Sequence, residues 1–541
     1  MRYFLLPTLA LLGTITSAQW ATPPDPPLAI STAENEQKTV RAISDGGDGW
    51  YVLWLDGRVS NSKREVYGQH LNAAGVPQWE ADGRQLLAHP DKNIGDYFSA
   101  LTPTGDLFTV WVQGGDTLVS QLLDAQGSPV WPEPALVAGR TNNNAYSIGQ
   151  PRLVLQEGGA IVSWMPNHQG GNPQVAFNRV ALDGEVLHGF NGTYIPGSGY
   201  GGHGIVTDGY NGAYIWWASA NAMGASIRVR RVNADGELQW AQHTVPTTGT
   251  SGIHDGEYTG TADGAGGLVV AWNSNSDILM SRIDTSGAFI WDPAVKPVCT
   301  NTASQRRPVL AARDGHIFSA WSDGRPPADN YDLFVQKFNL DGDPLWTVDG
   351  VLAIHENTYI PHARIAPTAD GGAYVSHKTG VGFQAMLLNG DGMPVWEPAF
   401  TMTPANYAPF YGDQRMLPTN DGGAVLFWAT DGNNIYGTRV DPGSGISTGI
   451  AMEDGGTPAF SIHPNPASDR ITIRMEGALT GSEVEFELYD ALGKRVHSYP
   501  RLIATDDTAL RIPSEIKNGI YLLSARSEGT TPFTARIVVQ R

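Results

Sequence analysis

Six basic residues, Arg41, Arg152, His203, Arg307, Arg364 and Arg415, stand just before what read as the first strands of successive repeats. A guanidinium offers a fixed fork of donors that matches a carboxylate or sulfate, so a rim of them would attract an acidic ligand. Around them run segments rich in tyrosine, asparagine and glycine, carrying Tyr97, Tyr146, Tyr194, Tyr200, Tyr258, Tyr359, Tyr407 and Tyr411. Flat aromatic faces beside amides suit sugar rings or extended peptides, because they bury apolar area at low entropic cost. Two readings are open. Each arginine pairs with a loop carboxylate of its own repeat and each tyrosine caps a loop, or both sets hold a glycan or protein ligand. On the second reading the ligand-binding residues are the six basic ones with Tyr146, Tyr200, Tyr359 and Tyr411.

No catalytic set is expected. His203, His254 and His362 lack the short spacing of a motif such as H-E-x-x-H, so neither a metal nor a cofactor is expected. The sequence holds no G-x-S-x-G elbow, P-loop or dinucleotide fingerprint. The "DGGDG" run from Asp45 lacks the later bidentate glutamate of a calcium loop, and the sialidase-type Asp box does not occur. These features favour a non-catalytic binding protein. A hydrolase or lyase acting on acidic polysaccharide and a structural surface or adhesion component are the alternatives.

The elements that must position these residues are legible from the tryptophans. "WLDGR" at Trp54–Arg58 returns as "WSDGR" at Trp321–Arg325. Aligned apolar segments recur at intervals of about 53 residues, anchored by Trp54, Trp111, Trp164, Trp216, Trp272, Trp321, His377 and Trp428. The repeated motif is therefore one position in units one and six, and its Asp–Arg pairs read as local clamps or, alternatively, as ligand contacts. Each unit holds a short strand ending in an Asp-Gly turn, the tryptophan strand, and an alternating strand such as "REVYGQHLN". A glycine followed four residues later by tryptophan then leads into a fourth strand, as in "GVPQW" and "GDPLW"; unit three has His188 there, and unit eight lacks it. Four antiparallel strands at this period make one blade, and eight units predict an all-β, eight-bladed β-propeller. Leu28–Ile30 parallel Leu352–Ile354, so the chain opens with an outer strand that would complete unit eight and close the ring.

Composition agrees with this class and bounds the partners. Among 541 residues there are 64 glycines and 16 tryptophans, which favour short strands and tight turns. A net charge of −19 argues against a nucleic-acid partner. Arg2, the apolar run from Tyr3 to Leu12 and Thr16-Ser17-Ala18 predict a signal peptide over 1–18, and no later stretch predicts a transmembrane segment. With Cys299 as the one cysteine, no intramolecular disulfide is available. The expected order is signal peptide 1–18, propeller 19–450, linker 451–458 and a small β-sandwich over 459–541.

The run Asp124-Gly127-Trp131, repeated at Asp284-Gly287-Trp291, resembles the tryptophan-docking motifs of eight-bladed quinoprotein dehydrogenases, offset by one residue. That resemblance implies a packing role only. The repeat region is more similar to exported propeller-like proteins of Bacteroidetes. The tail carries Pro464-Asn465-Pro466, the "LYDALGK" turn with Gly493 and Lys494, and a strand opening at Gly519 with Tyr521. These residues resemble the C-terminal (Por-type) sorting domain of the type IX secretion system, with His463 where the family commonly has an aromatic residue and Arg536 where it often has lysine. The resemblance implies Sec export, passage across the outer membrane, and the secretion machinery and its sortase as partners. The product would be released or anchored at the cell surface.

Overall fold

The computed structural model describes residues 20, 27–140, 146–168, 174–196, 200–221, 224–240, 257–326, 331–355, 363–379, 383–396, 399–401, 409–430, 434–443, 460–463, 467–475, 483–490, 495–503, 505, 507–517, 519–527 and 533–539. The expected signal peptide and linker lie outside them. The chain divides into two compact units, residues 1–448 and 449–541. Among the described residues there are strands and turns but no helix.

In the first unit the described strands pair into eight antiparallel sheets, seven of four strands and one of three. Local chemistry makes the hairpins. In the first turn of sheet one, Asp45 accepts hydrogen bonds from the N–H groups of Gly47 and Gly49, at 2.8 and 3.0 Å. Asp208 and Asp263 repeat this in sheets four and five. After the third strands of sheets one, two, four, five and seven an Asp or Asn accepts from the second and fourth following N–H groups, as Asp124 does from Gln126 and Ser128. The residue between them must take positive φ, and it is glycine, for example Gly127 at 77°.

Side chains alternate across each tryptophan strand, so one face packs on the preceding sheet and the other on the following one. In sheet one, Val52 and Trp54 cluster with Val425 and Phe427 of sheet eight, whereas Tyr51, Leu53 and Leu55 cluster with Trp111 of sheet two. The same test corrects one anchor. In sheet four it is Trp217, fully buried with Ile161 and Phe177, that faces sheet three; Trp216 faces sheet five beside Trp272. Adjacent tryptophans occupy opposite faces, and "AYIWWAS" alone does not say which is which.

In five repeats the second tryptophan docks one sheet on the next. The indole N–H of Trp131 donates to Leu182 O at 2.7 Å, Trp291 to Leu340 O at 2.9 Å, and Trp346 to Gly390 O at 3.0 Å. Trp240 and Trp396 do the same to Thr285 and Pro442. All five acceptors occupy one position in the turn after the neighbouring third strand. Trp20 supplies the sixth case: its N–H donates to Ala73 O of sheet one at 2.9 Å, and its ring packs on Trp50 and Phe427. Just beyond, Leu28–Ser31 pairs with Ile435–Val440, with Leu28 opposite Gly437 and Ala29 opposite Tyr436. The first strand of each sheet touches that of the next, and the first strand of sheet eight touches that of sheet one.

The second unit holds a three-stranded and a five-stranded sheet. Ile471 and Ile473 of the former share one core with Val484, Phe486, Leu488, Leu523 and Ile537 of the latter.

Candidate functional site

The repeated W-x-D-G-R motif builds the same clamp twice. Trp54 donates its indole N–H to Asp56 Oδ2 at 2.7 Å, and Arg58 closes a fork on the same carboxylate from Nε and Nη2, at 3.0 and 2.7 Å. Trp321, Asp323 and Arg325 reproduce this at 2.8, 2.9 and 2.7 Å. Each guanidinium also lies over an aromatic ring, Tyr67 at 3.8 Å and Phe334 at 3.9 Å, and donates to a carbonyl before the fourth strand, that of Asp82 or Asp349. The carboxylates are buried, so the pair is a loop fastener whose groups are spent on one another.

The first strands carry the expected basic residues, and a bulge governs where they stand. Register breaks between Lys38 and Arg41, Gly149 and Arg152, and Arg306 and Val309, opposite the anchor tryptophan. The bulge residues Thr39, Gln150 and Arg307 have φ of 58°, 54° and 55°, a left-handed conformation that re-aims the next side chains. Arg41, Arg152, Arg364 and Arg415 then share one register position, paired with Leu53, Ser163, Ser376 and Phe427, each the residue before the anchor. The equivalents in sheets two, four, five and six are Phe98, Gly204, Thr259 and Val309. Arg307 belongs to the bulge itself, and His203 pairs with Trp217, one residue away from the arginine position.

Arg41, Arg307 and Arg364 reach neighbouring sheets, and Arg152, Arg364 and Arg415 also donate to the carbonyl just before them in the chain. Arg41 lies 3.6 Å from Asp96 of sheet two, and Arg307 lies 4.0 Å from Glu257, which precedes the first strand of sheet five. Arg41 and Arg152 lie on Phe98, at 5.5 and 5.7 Å. Arg364 and Arg415 both donate to the carbonyl of Gln414.

A cavity of about 270 Å³ opens where the shared position changes from Arg152 through Gly204 to Thr259. Gln150, His203, Trp216 and Tyr258 complete its main lining. No Cβ fits at Gly204: it would meet the Trp216 ring at 2.0 Å, so the indole lies directly on bare backbone. Tyr97, His203 and Tyr258 all pair with an anchor tryptophan and reach back one sheet. The tyrosines donate to Thr39 O at 2.8 Å and Gly202 O at 2.5 Å, and His203 Nε2 meets Ser163 Oγ at 2.9 Å. A phenol is thereby satisfied, but an imidazole has a second nitrogen. His203 Nδ1 is buried and has no hydrogen-bond partner among the described residues. Burial, aided by the nearby Arg152 charge, pushes the His203 pKa down to about 3, so the ring is neutral at physiological pH.

Of the aromatic candidates, Tyr146, Tyr200 and Tyr411 lie in the first strands of sheets three, four and eight, and Tyr359 lies outside the described residues. Tyr97, taken from sequence as a loop residue, is fully buried. Among the described residues no group of three or more His, Cys, Asp or Glu is placed to hold a metal ion. In the tail, Pro464, Asn465, Pro466, Gly493 and Lys494 lie outside the described residues. Gly519 opens the strand Gly519–Ser527, and Tyr521 packs against the second unit's core. The sequence offered a weak signal for Trp216 and none for the cavity, which three non-adjacent strands create.

Residues 461–540 match the secretion system C-terminal sorting domain. The chain is thus a type IX secretion substrate with propeller-like repeats, secreted or at the cell surface. No helix among the described residues is long and apolar enough to cross a membrane. Similar solved structures include a polysaccharide lyase, at 11% identity and TM-score 0.39, with 56% of this chain and 78% of the lyase covered. They include prolyl oligopeptidase B from Galerina marginata, at 10% identity and TM-score 0.40, with 74% of this chain and 56% of that one covered. An α-L-arabinanase from Penicillium chrysogenum aligns at 11% identity and TM-score 0.27, over 60% of this chain and 90% of that one. No curated protein matches the sequence.

Proposed function

We propose that this type IX secretion substrate is a binding protein that takes a glycan or protein ligand on one face of an eight-bladed propeller. On this reading a signal peptide over 1–18 is removed on export. Residues 19–450 close into a ring through Leu28–Ser31 and Trp20, 451–458 link it to the tail, and 459–541 address it to the secretion machinery and its sortase.

The observation that carries the reading is the shared register of Arg41, Arg152, Arg364 and Arg415 on the first strands of a protein with net charge −19. Four guanidinium groups at equivalent positions concentrate positive potential at the centre of an acidic molecule, which draws acidic groups of a ligand there. His203 and Arg307 stand within two residues of that position, and Tyr146, Tyr200, Tyr359 and Tyr411 flank it in sequence. The neutral His203 imidazole supports binding over proton transfer, since a base that weak gives little general-base catalysis near pH 7.

The test is an array of glycans, polysaccharides and proteins probed with the mature chain, then with Arg152→Ala and Arg364→Ala. Expected is a ligand whose retention falls roughly tenfold or more in at least one variant. A ligand held equally by both variants would refute the arginine rim. Release of new reducing or unsaturated ends from a bound acidic polysaccharide would favour the hydrolase or lyase alternative.

A further inference from the structure

We propose that Arg228 and Arg230, on the third strand of sheet four, form a binding site for a phosphate monoester. The site stands apart from the arginines of the first strands and does not depend on them. Both residues belong to the strand Gly224–Val232. They pair with Trp217 and Ile215, whose side chains pack on sheet three, so both guanidinium groups share the junction between sheets three and four. At the position of Arg230, sheets one, two, three and six carry Gln69, Gln121, Asn178 and Gln336. Each of these amides accepts from the N–H of the second tryptophan, or of His188 in sheet three, and donates to a carbonyl at or just beyond it. A guanidinium has donors but no acceptor, so Arg230 cannot take over that role.

Arg230 is only 7% exposed, yet neither it nor Arg228 forms a hydrogen bond or an ion pair among the described residues. Arg231 faces the opposite way and pairs with Asp208 at 2.7 Å, as its counterpart Arg282 in sheet five pairs with Asp263 at 2.7 Å. In Arg228 and Arg230 the sealed nitrogen is Nε, so the Nη groups are the ones left at the surface. Burial lowers the Arg230 pKa, and no carboxylate among the described residues stands close enough to raise it. The facing sheet adds positive charge: Arg179 points into the same junction, where burial and then its charge hold the His188 pKa down. Room for the long side chains comes from His188. One junction back, Trp131 shares a core with Ala176, whose register is that of Arg228; here an imidazole replaces the indole. Desolvated cations without a counter-charge are costly, and an anion would offset that cost. Residues two apart on a strand stand about 6.6 Å apart, close enough for two forks to converge on one tetrahedral ion. A carboxylate's two oxygens are filled by one fork. A phosphate monoester offers three free oxygens and about two negative charges, one for each arginine.

Titration calorimetry on the full chain tests the site with glucose 6-phosphate, using glucose 6-sulfate, glucuronate and glucose as controls. Expected is binding of the phosphate at least about tenfold tighter than of the sulfate or glucuronate, and a loss of about tenfold or more in Arg228→Gln and in Arg230→Gln. Lowering the pH from about 7.5 to about 5 should weaken binding, because the ester gives up its second charge near pH ~6 while the arginines keep theirs. Arg230→Gln installs the residue of sheets one, two and six, so it should fold, and its melting temperature, unlike the parent's, should not rise with added phosphate. Vesicles with and without phosphatidic acid identify the source. Retention on phosphatidic acid that both variants lose, without binding of glucose 6-phosphate, would place the same group on a lipid headgroup. Sulfate or glucuronate bound as tightly as phosphate, binding of neither phosphate source, or folded variants that bind like the parent would each overturn the site.

Discussion

Asp323 is fully buried and receives three charge-assisted or indole hydrogen bonds, from Trp321 and twice from Arg325. Asp323→Asn leaves the guanidinium half-buried without its counter-charge, and should cost about 2–3 kcal/mol in urea denaturation. Asp56→Asn should cost a similar amount, because its clamp has the same geometry. Glycine at one turn shows a second residue-level constraint. A Cβ at Gly350 would sit 2.4 Å from Trp321 Cη2, with φ at +86°, whereas Gly105 at +89° has nothing within 4 Å. Gly105→Ala should cost about 1 kcal/mol from backbone conformation alone, and Gly350→Ala about 1–3 kcal/mol more from the clash. Equal melting temperatures for the two would mean that the indole yields freely. The imidazoles set the acid limit. Burial pushes the His377 pKa from 6.5 down to about 4 and holds the ring neutral in the fold. On acidification the unfolded chain takes up the proton first, so stability falls as pH drops from about 6.5 to 4, by up to about 3 kcal/mol. His377→Gln should flatten that decline, and an unchanged slope would show that the buried ring is protonated in place.

At the scale of elements, six of the eight sheet junctions use one device, an indole N–H on the carbonyl in the neighbouring turn. Trp20 makes it between the first and last sheets although it lies outside the repeat. If the ring is closed, Trp20→Ala should lower stability by about 2–3 kcal/mol, comparable to Trp291→Ala at an internal junction. A melting temperature for Trp20→Ala within error of the parent would leave the ring open at that point. The bulge in the first strands matters equally. It shifts register opposite the anchor tryptophan, and so decides which basic residues come into line across the sheets.

For the whole molecule, the sorting domain decides where the chain goes, and the proposed function assigns what it meets to the first unit. Removing residues 460–541 should hold the remainder in the periplasm, seen by cell fractionation. Its continued appearance outside the cell would sink the export role of the tail. Placing the binding reading in the first unit makes a complementary demand: the same truncated chain, purified, should keep its array ligand.

The repeat length, strand order, turn chemistry and tail were readable in the sequence because each depends on near neighbours in the chain. Asp-Gly turns need a left-handed residue, strands alternate every two residues, and the tail motifs follow one another in order. The paired Trp216 and Trp217 were not assignable, since adjacent residues on a strand face opposite ways and only the flanking sheets say which way is back. Likewise His203 and Arg307 look equivalent to Arg152 in an alignment, but a one-residue bulge separates them. The cavity was invisible for a related reason. It is the space left when Gly204 and Thr259 stand beside Arg152, and those three residues become neighbours only when separate sheets pack side by side.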